Sequence, residues 1–209
     1  MTFLELCHRL RDEVGGDGRG PVTVVNQRDE YLRVVNWVRD AWLEIQGWRP
    51  DWQWAMAQAS IPVEADQQEV DAPDDLQDWD AASARFDGRR LEVLDWRAFS
   101  RLPAVTRGDM PTRVTASIGG TLLLDRAPVA PGTLTFDYWR TPQRLEKDED
   151  VPRLPEQYHM LIVYQAAIQM GYFTNSPNLV ESAQRNADRL MSGIAMTQLP
   201  RPAIQGPLA

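Results

Sequence analysis

The chain has 209 residues, of which 43% are hydrophobic and 25% charged, and its formal net charge is −8 at pH 7. This length fits one domain, or one core with a subdomain inserted in it. No run approaches the ~20 apolar residues of a membrane-spanning helix. A tight nucleic-acid binder would need clustered Lys and Arg, which the sequence lacks. The acidity is compatible with a surface that DNA slides past without binding, and equally with negative charge that only aids solubility.

The first residues and the cysteine content indicate the compartment. The N-terminal segment lacks a basic leader followed by an apolar stretch, so we expect no secretory signal. Cys7 is the only cysteine, so no internal disulfide can form. This is what a protein made in a reducing cytoplasm would show.

Two helices are predicted before residue 48. Thr2 and Glu5 have the spacing of a capping box, and apolar residues then recur at helical spacing until Gly15-Gly16, which predicts a helix over residues 3–14. A second helix is predicted from Asp29 to Gln46, with Asn26 as its N-cap. Trp37 falls away from the apolar face of this helix, so it either packs on a second surface or stays exposed.

The periodicity changes from helical to alternating between residue 48 and about residue 145. The alternation predicts a strand that begins near Trp52 and ends at Val63, and a further strand over Thr133–Trp139. Asp87-Gly88 and Gly119-Gly120 predict two hairpin turns. Residues 64–80 hold eight acids and no Lys or Arg, which predicts a surface loop with a short strand in it.

Two more helices are predicted after an acidic linker. The third starts at Pro155 and is apolar nearly all round, so we expect it to be central. Its apolar residues are Met160, Ile162, Val163, Ala167, Met170 and Tyr172. The fourth starts with Ser176 as N-cap and Pro177 at the first helical position. Three prolines and a glycine then exclude a helix or a central strand from residues 199–209.

The predicted fold class is therefore α+β, with a four-helix layer built from both chain ends and an inserted antiparallel β-sandwich or small β-barrel. The predicted divisions are an N-terminal helical pair (1–47), an inserted β-domain with the acidic loop (48–150), a C-terminal helical pair (151–198) that packs on the first pair, and an extended C-terminal arm (199–209).

The residues give little sign of catalytic chemistry. His8 lies beside Cys7, but neighbours in a helix point about 100° apart and no orienting third group is evident. The acids of 64–80 lack the glycine and closing glutamate of an EF-hand loop. No phosphate-binding loop or nucleophile motif occurs. We predict a protein that is not an enzyme and has no cofactor or metal.

Two alternatives stay open at this stage. Eight tryptophans are unusual, and Trp48, Trp52 and Trp54 could form an exposed platform of a carbohydrate-binding β-module on a helical frame. The structural interpretation, in which tryptophans fill the core and a subunit interface, is favoured because Trp42, Trp54 and Trp139 fall on apolar faces. The other alternative is an enzyme, metal-assisted or not, that uses the acids of 64–80.

The ordered set of segments resembles the head–tail adaptor (neck connector) proteins of tailed bacteriophages. The segments that carry the resemblance cover roughly residues 2–196. They are TFLELCHRLR (2–11) with Glu13, VNWV (35–38) with Ala41-Trp42, DWD (78–80), LDW (94–96), PTR (111–113), LLLD (122–125) with Pro128, LTFDY (134–138) and LPEQYHMLIVY (154–164).

The resemblance implies a structural virion protein at the head–tail junction, made in the host cytoplasm. Such adaptors form a ring, usually of twelve copies, beneath the portal protein, and present a platform for the next neck or tail protein. Genomic DNA would pass through without sequence-specific binding, and no membrane is involved. By analogy, the C-terminal segment would be an arm that docks on the portal. The residues expected to dock are Leu199, Pro200, Arg201, Pro202, Ile204 and Leu208.

Overall fold

The computed structural model describes residues 1–16, 20–103 and 107–198. These residues form an α+β fold, which confirms the predicted class. The chain divides into two units, which we call the helical unit and the β unit. The helical unit takes Met1–Ala55 and the chain from Pro142 onward, and the β unit takes Met56–Thr141.

Five α-helices occur within the described ranges. They are α1 (Phe3–Glu13), α2 (Asp29–Gly47), α3 (Trp96–Phe99), α4 (His159–Phe173) and α5 (Pro177–Gln198). Single 3-10 turns precede the first strand (Gln53–Ala55) and α4 (Glu156–Tyr158). Only the short α3 belongs to the β unit.

The helix starts show which capping signals the chain uses. The predicted capping box of α1 is confirmed, because Glu5 N donates to Thr2 Oγ1 (3.2 Å) and Thr2 N donates to Glu5 Oε2 (2.8 Å). The predicted N-cap of α2 is wrong: Arg28 holds that position, without a side-chain capping bond. Asn26 instead has a φ of 55° in the turn before the helix, a backbone conformation that asparagine tolerates better than most residues.

The core of the helical unit is built around α4, which packs against α1, α2 and α5. Five of its side chains are completely buried: Leu161, Ile162, Val163, Ala166 and Ala167. They share one hydrophobic cluster with the buried faces of α1 and α2 and with Ala183, Ala187 and Ile194 of α5. The expectation that the third long helix is central therefore holds.

A pair of glutamines joins α2 to the chain where it returns from the β unit. Gln46 Nε2 donates to the carbonyl of Gln143 (3.0 Å), and Gln143 N donates to Gln46 Oε1 (2.7 Å). The side chain of Gln143 in turn accepts from Arg153 N and donates to Val151 O. Gln46 is buried, so these bonds satisfy polar groups that would otherwise lack partners.

The β unit contains eleven short strands within the described ranges. They are β1 (Met56–Val63), β2 (Glu69–Asp71), β3 (Leu76–Trp79), β4 (Arg85–Phe86), β5 (Arg89–Arg90), β6 (Glu92–Val93), β7 (Arg107–Gly108), β8 (Arg113–Ala116), β9 (Thr121–Leu124), β10 (Ala127–Pro128) and β11 (Gly132–Arg140). One sheet has the order β1-β11-β4-β5, with β3 also paired to β11. A second sheet has the order β2-β9-β8-β6, and β10 pairs with β7.

Both predicted hairpins form. Asp87 and Gly88 have positive φ between β4 and β5, and Gly120 has a φ of 86° between β8 and β9. Leu134, Phe136 and Tyr138 of β11 are buried, as the alternation predicts. They join a cluster that also takes Val70, Val114, Leu122 and Leu124 from the second sheet, so the two sheets share one core.

Three expectations about the β unit need correction. The described strands do not close into a barrel, so the barrel alternative is wrong. The pairing is also not purely antiparallel, because β6 runs parallel to β8 and β7 parallel to β10. The first strand begins at Met56 rather than near Trp52, because Trp52 is buried in the core of the helical unit.

Asp125 is a buried anchor of the second sheet that sequence reasoning missed. Its carboxylate accepts from Thr112 N (2.8 Å), Thr112 Oγ1 (2.8 Å) and Arg113 N (3.1 Å), and it pairs with Arg126 (3.0 Å). Burial of this carboxyl opposes ionisation, but the hydrogen bonds outweigh burial and lower the pKa of Asp125. The ionised carboxylate therefore fixes the start of β8.

The central position of α4 gives a first prediction. Ile162→Asp would place an unpaired charge in a fully buried site, so we expect loss of the cooperative thermal transition followed by far-UV circular dichroism. The milder Ile162→Ala should lower the free energy of unfolding by about 2–5 kcal/mol. The exposed Met196→Ala is the control and should melt like wild type. A soluble Ile162→Asp variant with a wild-type transition would contradict this account of the core.

The glutamine pair gives a second prediction. Gln46→Ala leaves the backbone N–H and carbonyl of Gln143 without their partners, so it should lower the free energy of unfolding by about 1–3 kcal/mol. Gln184→Ala, which removes an exposed bond to Asp188 on α5, is the matched control and should change it by less than about 0.5 kcal/mol. Equal denaturant midpoints for the two variants would show that the pair does not stabilise the fold.

Candidate functional site

The reactive side chains that the sequence singles out do not come together. Cys7 is buried in the helical core, and burial raises its pKa to about 12, so it is not a ready nucleophile. His8 Nε2 lies 2.7 Å from the carbonyl oxygen of Pro21. His159 is buried at the start of α4, with Nε2 2.8 Å from the carbonyl oxygen of Leu154.

The three tryptophans of the suggested sugar platform do not share an exposed face. Trp52 is only 2% exposed, and its Nε1 donates to the carbonyl of Ile45 (3.2 Å). Its ring stacks on Trp54, which packs in turn against Trp42, with ring centroids 5.8 and 5.1 Å apart. Trp48 is 39% exposed. The alternative of an exposed tryptophan platform is therefore wrong, and the rings of Trp42, Trp52 and Trp54 belong to the helical core.

The acids of residues 64–80 are distributed rather than gathered into a metal-binding group. Asp66 pairs with Arg107 (2.7 Å), Glu69 accepts from Thr121 Oγ1 (2.7 Å), and Asp75 accepts from the hydroxyl of Tyr138 (2.8 Å). A search of residues 1–16, 20–103 and 107–198 finds no group of three or more potential ligands placed to hold a metal ion. The segment also carries two strands, β2 and β3, where one was expected.

The predicted docking arm, residues 199–209, lies outside the described residues. Its residues Leu199, Pro200, Arg201, Pro202, Ile204 and Leu208 remain a prediction. The last described residue is Gln198, at the end of α5. This long helix leads directly into the predicted arm.

An exposed aromatic surface on the helical unit is the feature that the sequence missed. Tyr172 and Phe173, in the last turn of α4, are 72% and 59% exposed. The Phe173 ring lies 5.6 Å from that of Trp37, and the Arg33 guanidinium lies 4.8 Å from the Phe173 ring centroid. We call Arg33, Trp37, Tyr172 and Phe173 the aromatic surface. Tyr172 was expected to belong to a helix that is apolar nearly all round and central, but the buried residues of α4 end one position earlier, at Gly171.

An open groove of about 590 Å³ adjoins the aromatic surface where α4 passes into α5. Tyr172, Pro177 and Val180 provide apolar lining, and Glu181 and Arg185 lie at its edge. The groove depends on Gly171, since a Cβ there would lie 2.7 Å from Val180 Cγ2. The turn between the helices is therefore tight, and it leaves Tyr172 and Phe173 pointing away from the core.

Exposed aromatic and arginine side chains in one patch are typical of protein–protein interfaces. An apolar patch of this kind on a soluble chain marks a contact site more often than a catalytic one. The described residues thus combine buried polar groups inside each unit, Gln46 in one and Asp125 in the other, with an exposed surface suited to a protein partner.

Comparison with known proteins identifies the class of protein. A family described as "SU10 adaptor protein" matches residues 1–208, and the chain belongs to that family. It is therefore a bacteriophage structural protein of adaptor type, a component of the virion, in a family not known for enzymes. No curated protein matches the chain significantly. None of the described helices is long and apolar enough to cross a membrane.

His159 gives a prediction about pH. Burial, the largest cause, lowers the pKa of this imidazole below its ordinary value of 6.5. The unfolded chain then binds a proton that the folded chain excludes, so stability falls as the pH drops from 6.5 towards the lowered pKa. We expect the free energy of unfolding, measured by urea titration, to decrease over this range in wild type and much less in His159→Gln. Parallel pH dependences in the two proteins would contradict the prediction.

Proposed function

We propose that the protein forms a ring beneath the portal and connects the DNA-filled head to the tail or to the next neck protein. The match to the adaptor family over residues 1–208 is the observation that carries this proposal. The chain would present a helical layer with an inserted β-sandwich, and a ring of such chains, twelve in the resembling proteins, would lengthen the channel through which DNA passes.

The aromatic surface supports the proposal from the structure. An adaptor must bind its neighbours in the particle, and Tyr172 and Phe173 expose large apolar area at low entropic cost beside a groove that a partner side chain could enter. Arg33 adds a planar cation against the Phe173 ring. Tyrosine and arginine are the residue types that most often dominate binding energy at such patches.

The net charge of −8 is consistent with a channel protein. A negative inner surface repels the DNA phosphates, so DNA can pass without being held. Sequence-specific contacts would work against this role, because they would retain the DNA in the channel.

The predicted arm would supply the portal contact. Leu199, Ile204 and Leu208 could act as apolar anchors, while Pro200 and Pro202 limit the conformations of the free segment and so lower the cost of ordering it. Arg201 could pair with an acid on the portal. We propose that this arm, rather than either folded unit, gives the first specific contact with the portal.

Negative-stain electron microscopy of the protein mixed with the portal from the same genome tests the proposal. We expect a ring of this protein stacked on one pole of the portal. A monodisperse monomer that leaves the portal bare would contradict the proposal.

Deletion of Pro200–Ala209 tests the arm. We expect an unchanged melting transition, because the sequence predicts an extended arm over these residues, together with at least a tenfold loss of affinity for the portal. Replacing residues 200–209 with a Gly/Ser segment of equal length is the control for chain length, and it should lose as much affinity as the deletion. A truncated chain that binds the portal normally would exclude the arm from docking.

Tyr172→Ala tests the aromatic surface. Because Tyr172 is 72% exposed, the free energy of unfolding should change by less than about 0.5 kcal/mol. Incorporation into rings on the portal should fall, since an interface tyrosine typically contributes more than about 1 kcal/mol. Val22→Ala, also highly exposed but outside the surface, is the control and should assemble normally. Normal assembly of Tyr172→Ala would show that the aromatic surface is not needed for ring formation.

A further inference from the structure

We propose that the β units of adjacent copies bind head to tail through two sheet edges of opposite charge. The basic edge consists of Arg85, Arg89 and Arg90 on β4 and β5. The acidic edge consists of Glu69, Asp71 and Asp74 on and just after β2. This inference rests on the proposed ring and specifies a surface that closes it, with a second copy of this chain as the occupant.

The basic edge concentrates charge that the fold itself does not neutralise. β5 is the outermost strand of the first sheet, and Arg85 lies directly opposite Arg90 in the ladder with β4. Like charges in this register destabilise a strand pair. Within the described ranges, neither Arg89 nor Arg90 has a carboxylate within ion-pair distance, and both are exposed. The nearby acids are engaged, since Asp87 accepts from Thr133 N and Glu92 pairs with Arg113.

The acidic edge shows the same pattern with the opposite sign. β2 is the outermost strand of the second sheet, and Glu69 and Asp71 are exposed on either side of the buried Val70. Asp74 is exposed in the turn that follows. Glu69 accepts a hydrogen bond from Thr121 but faces no cation. The nearest ion pair, between Asp66 and Arg107, lies before the strand and leaves these three carboxylates unpaired.

The topology places the two edges on opposite sides of the β unit. β5 continues through the buried Leu91 into β6, so the basic edge lies at the β6 side of the second sheet. β2 is at the other side of that sheet, beyond β8 and β9. Three strand spacings of about 4.8 Å therefore separate the two sides. One copy cannot pair its own edges, but the acidic edge of one copy can face the basic edge of the next.

Shape complements charge at both edges. An open recess of about 710 Å³ lies beside Arg90, and Ala81, Ala82 and Val93 are part of its lining. Two acids also line it, Asp80 and Glu92, and Glu92 is paired with Arg113. At the acidic side, Ile118 is 85% exposed at the tip of the β8–β9 hairpin, next to Thr121, which is paired with Asp71. An exposed apolar side chain on the acidic side thus matches a partly apolar recess beside Arg90, so we place Ile118 of one copy in the recess of its neighbour.

A contact between two different edges is heterologous, and such contacts generate rings when the rotation between copies closes. The single, repeated contact is what a ring adaptor needs. It also differs from ordinary protection of edge strands, in which charge only prevents pairing. Protection requires charge of either sign on each edge, whereas attraction between copies requires opposite signs on the two edges.

Charge reversal of the full-length chain tests the inference. Arg89→Glu with Arg90→Glu makes both edges acidic, and Glu69→Arg with Asp71→Arg makes both basic. Self-association is measured by sedimentation velocity at rising concentration and low salt. We expect wild type to associate, and each variant alone to lose association by at least tenfold. Salt should weaken the wild-type association, because exposed ion pairs are screened.

Mixing the two charge-reversed variants is the decisive experiment. In the mixture every contact between unlike copies again joins an acidic edge to a basic one, so association should return to near the wild-type level. Arg28→Glu with Arg189→Glu makes the same change in net charge as the Arg89/Arg90 variant, but on exposed sites of the helical unit, and should associate like wild type. Ile118→Ser should weaken association without changing its salt dependence.

The outcomes separate this inference from the proposed function. A monomeric wild type, reversed variants that associate normally, or a mixture that stays dissociated would each overturn the inference. Rings on the portal that form equally well with all variants would overturn it and leave the proposed function standing. If mixing restores association but no ring forms on the portal, the result would support the contact between the two edges and contradict the proposed function. If a reversed variant does not melt cooperatively, Arg89→Gln with Arg90→Gln is used, with the same expected loss.

Discussion

The pairing of β1 with β11 is the constraint on which the rest of the structure depends. These strands run antiparallel over eight residue pairs, from Met56 opposite Trp139 to Val63 opposite Gly132. Because the ladder brings its two outer ends together, the chain enters and leaves the β unit at neighbouring points. The β unit can therefore be inserted between two helical segments that are distant in sequence, and those segments can still form one core.

The core of the helical unit is formed by segments from both sides of the insertion. α4, from beyond the β unit, lies against α1 and α2, which come before it. The bonds between Gln46 and Gln143 hold the returning chain on α2, and the rings of Trp42, Trp52 and Trp54 fill the space beside it. The core of the helical unit is thus continuous across the insertion.

Local signals predicted much of this fold, and nonlocal contacts account for what was missed. The capping box of α1, the Asp87-Gly88 turn and the alternation of β11 each lie within a few residues, so the sequence shows them directly. Trp52 and Trp54 alternate like a strand but pack on α2, which only the tertiary structure reveals. The parallel β6–β8 pair, the Asp125 anchor and the exposure of Tyr172 depend on neighbours distant in the chain. The aromatic surface was missed for that reason.

Membership of the SU10 adaptor protein family fixes the class, and the exposed surfaces indicate how such a chain would assemble. The central claim is that this chain forms the ring between portal and tail. Cryo-electron microscopy of the neck of the phage particle that encodes it is the most direct test. The account predicts a closed ring immediately below the portal into which the helical unit and the β unit both fit. Density at that position that fits neither unit, in particles shown by mass spectrometry to contain the chain, would contradict it.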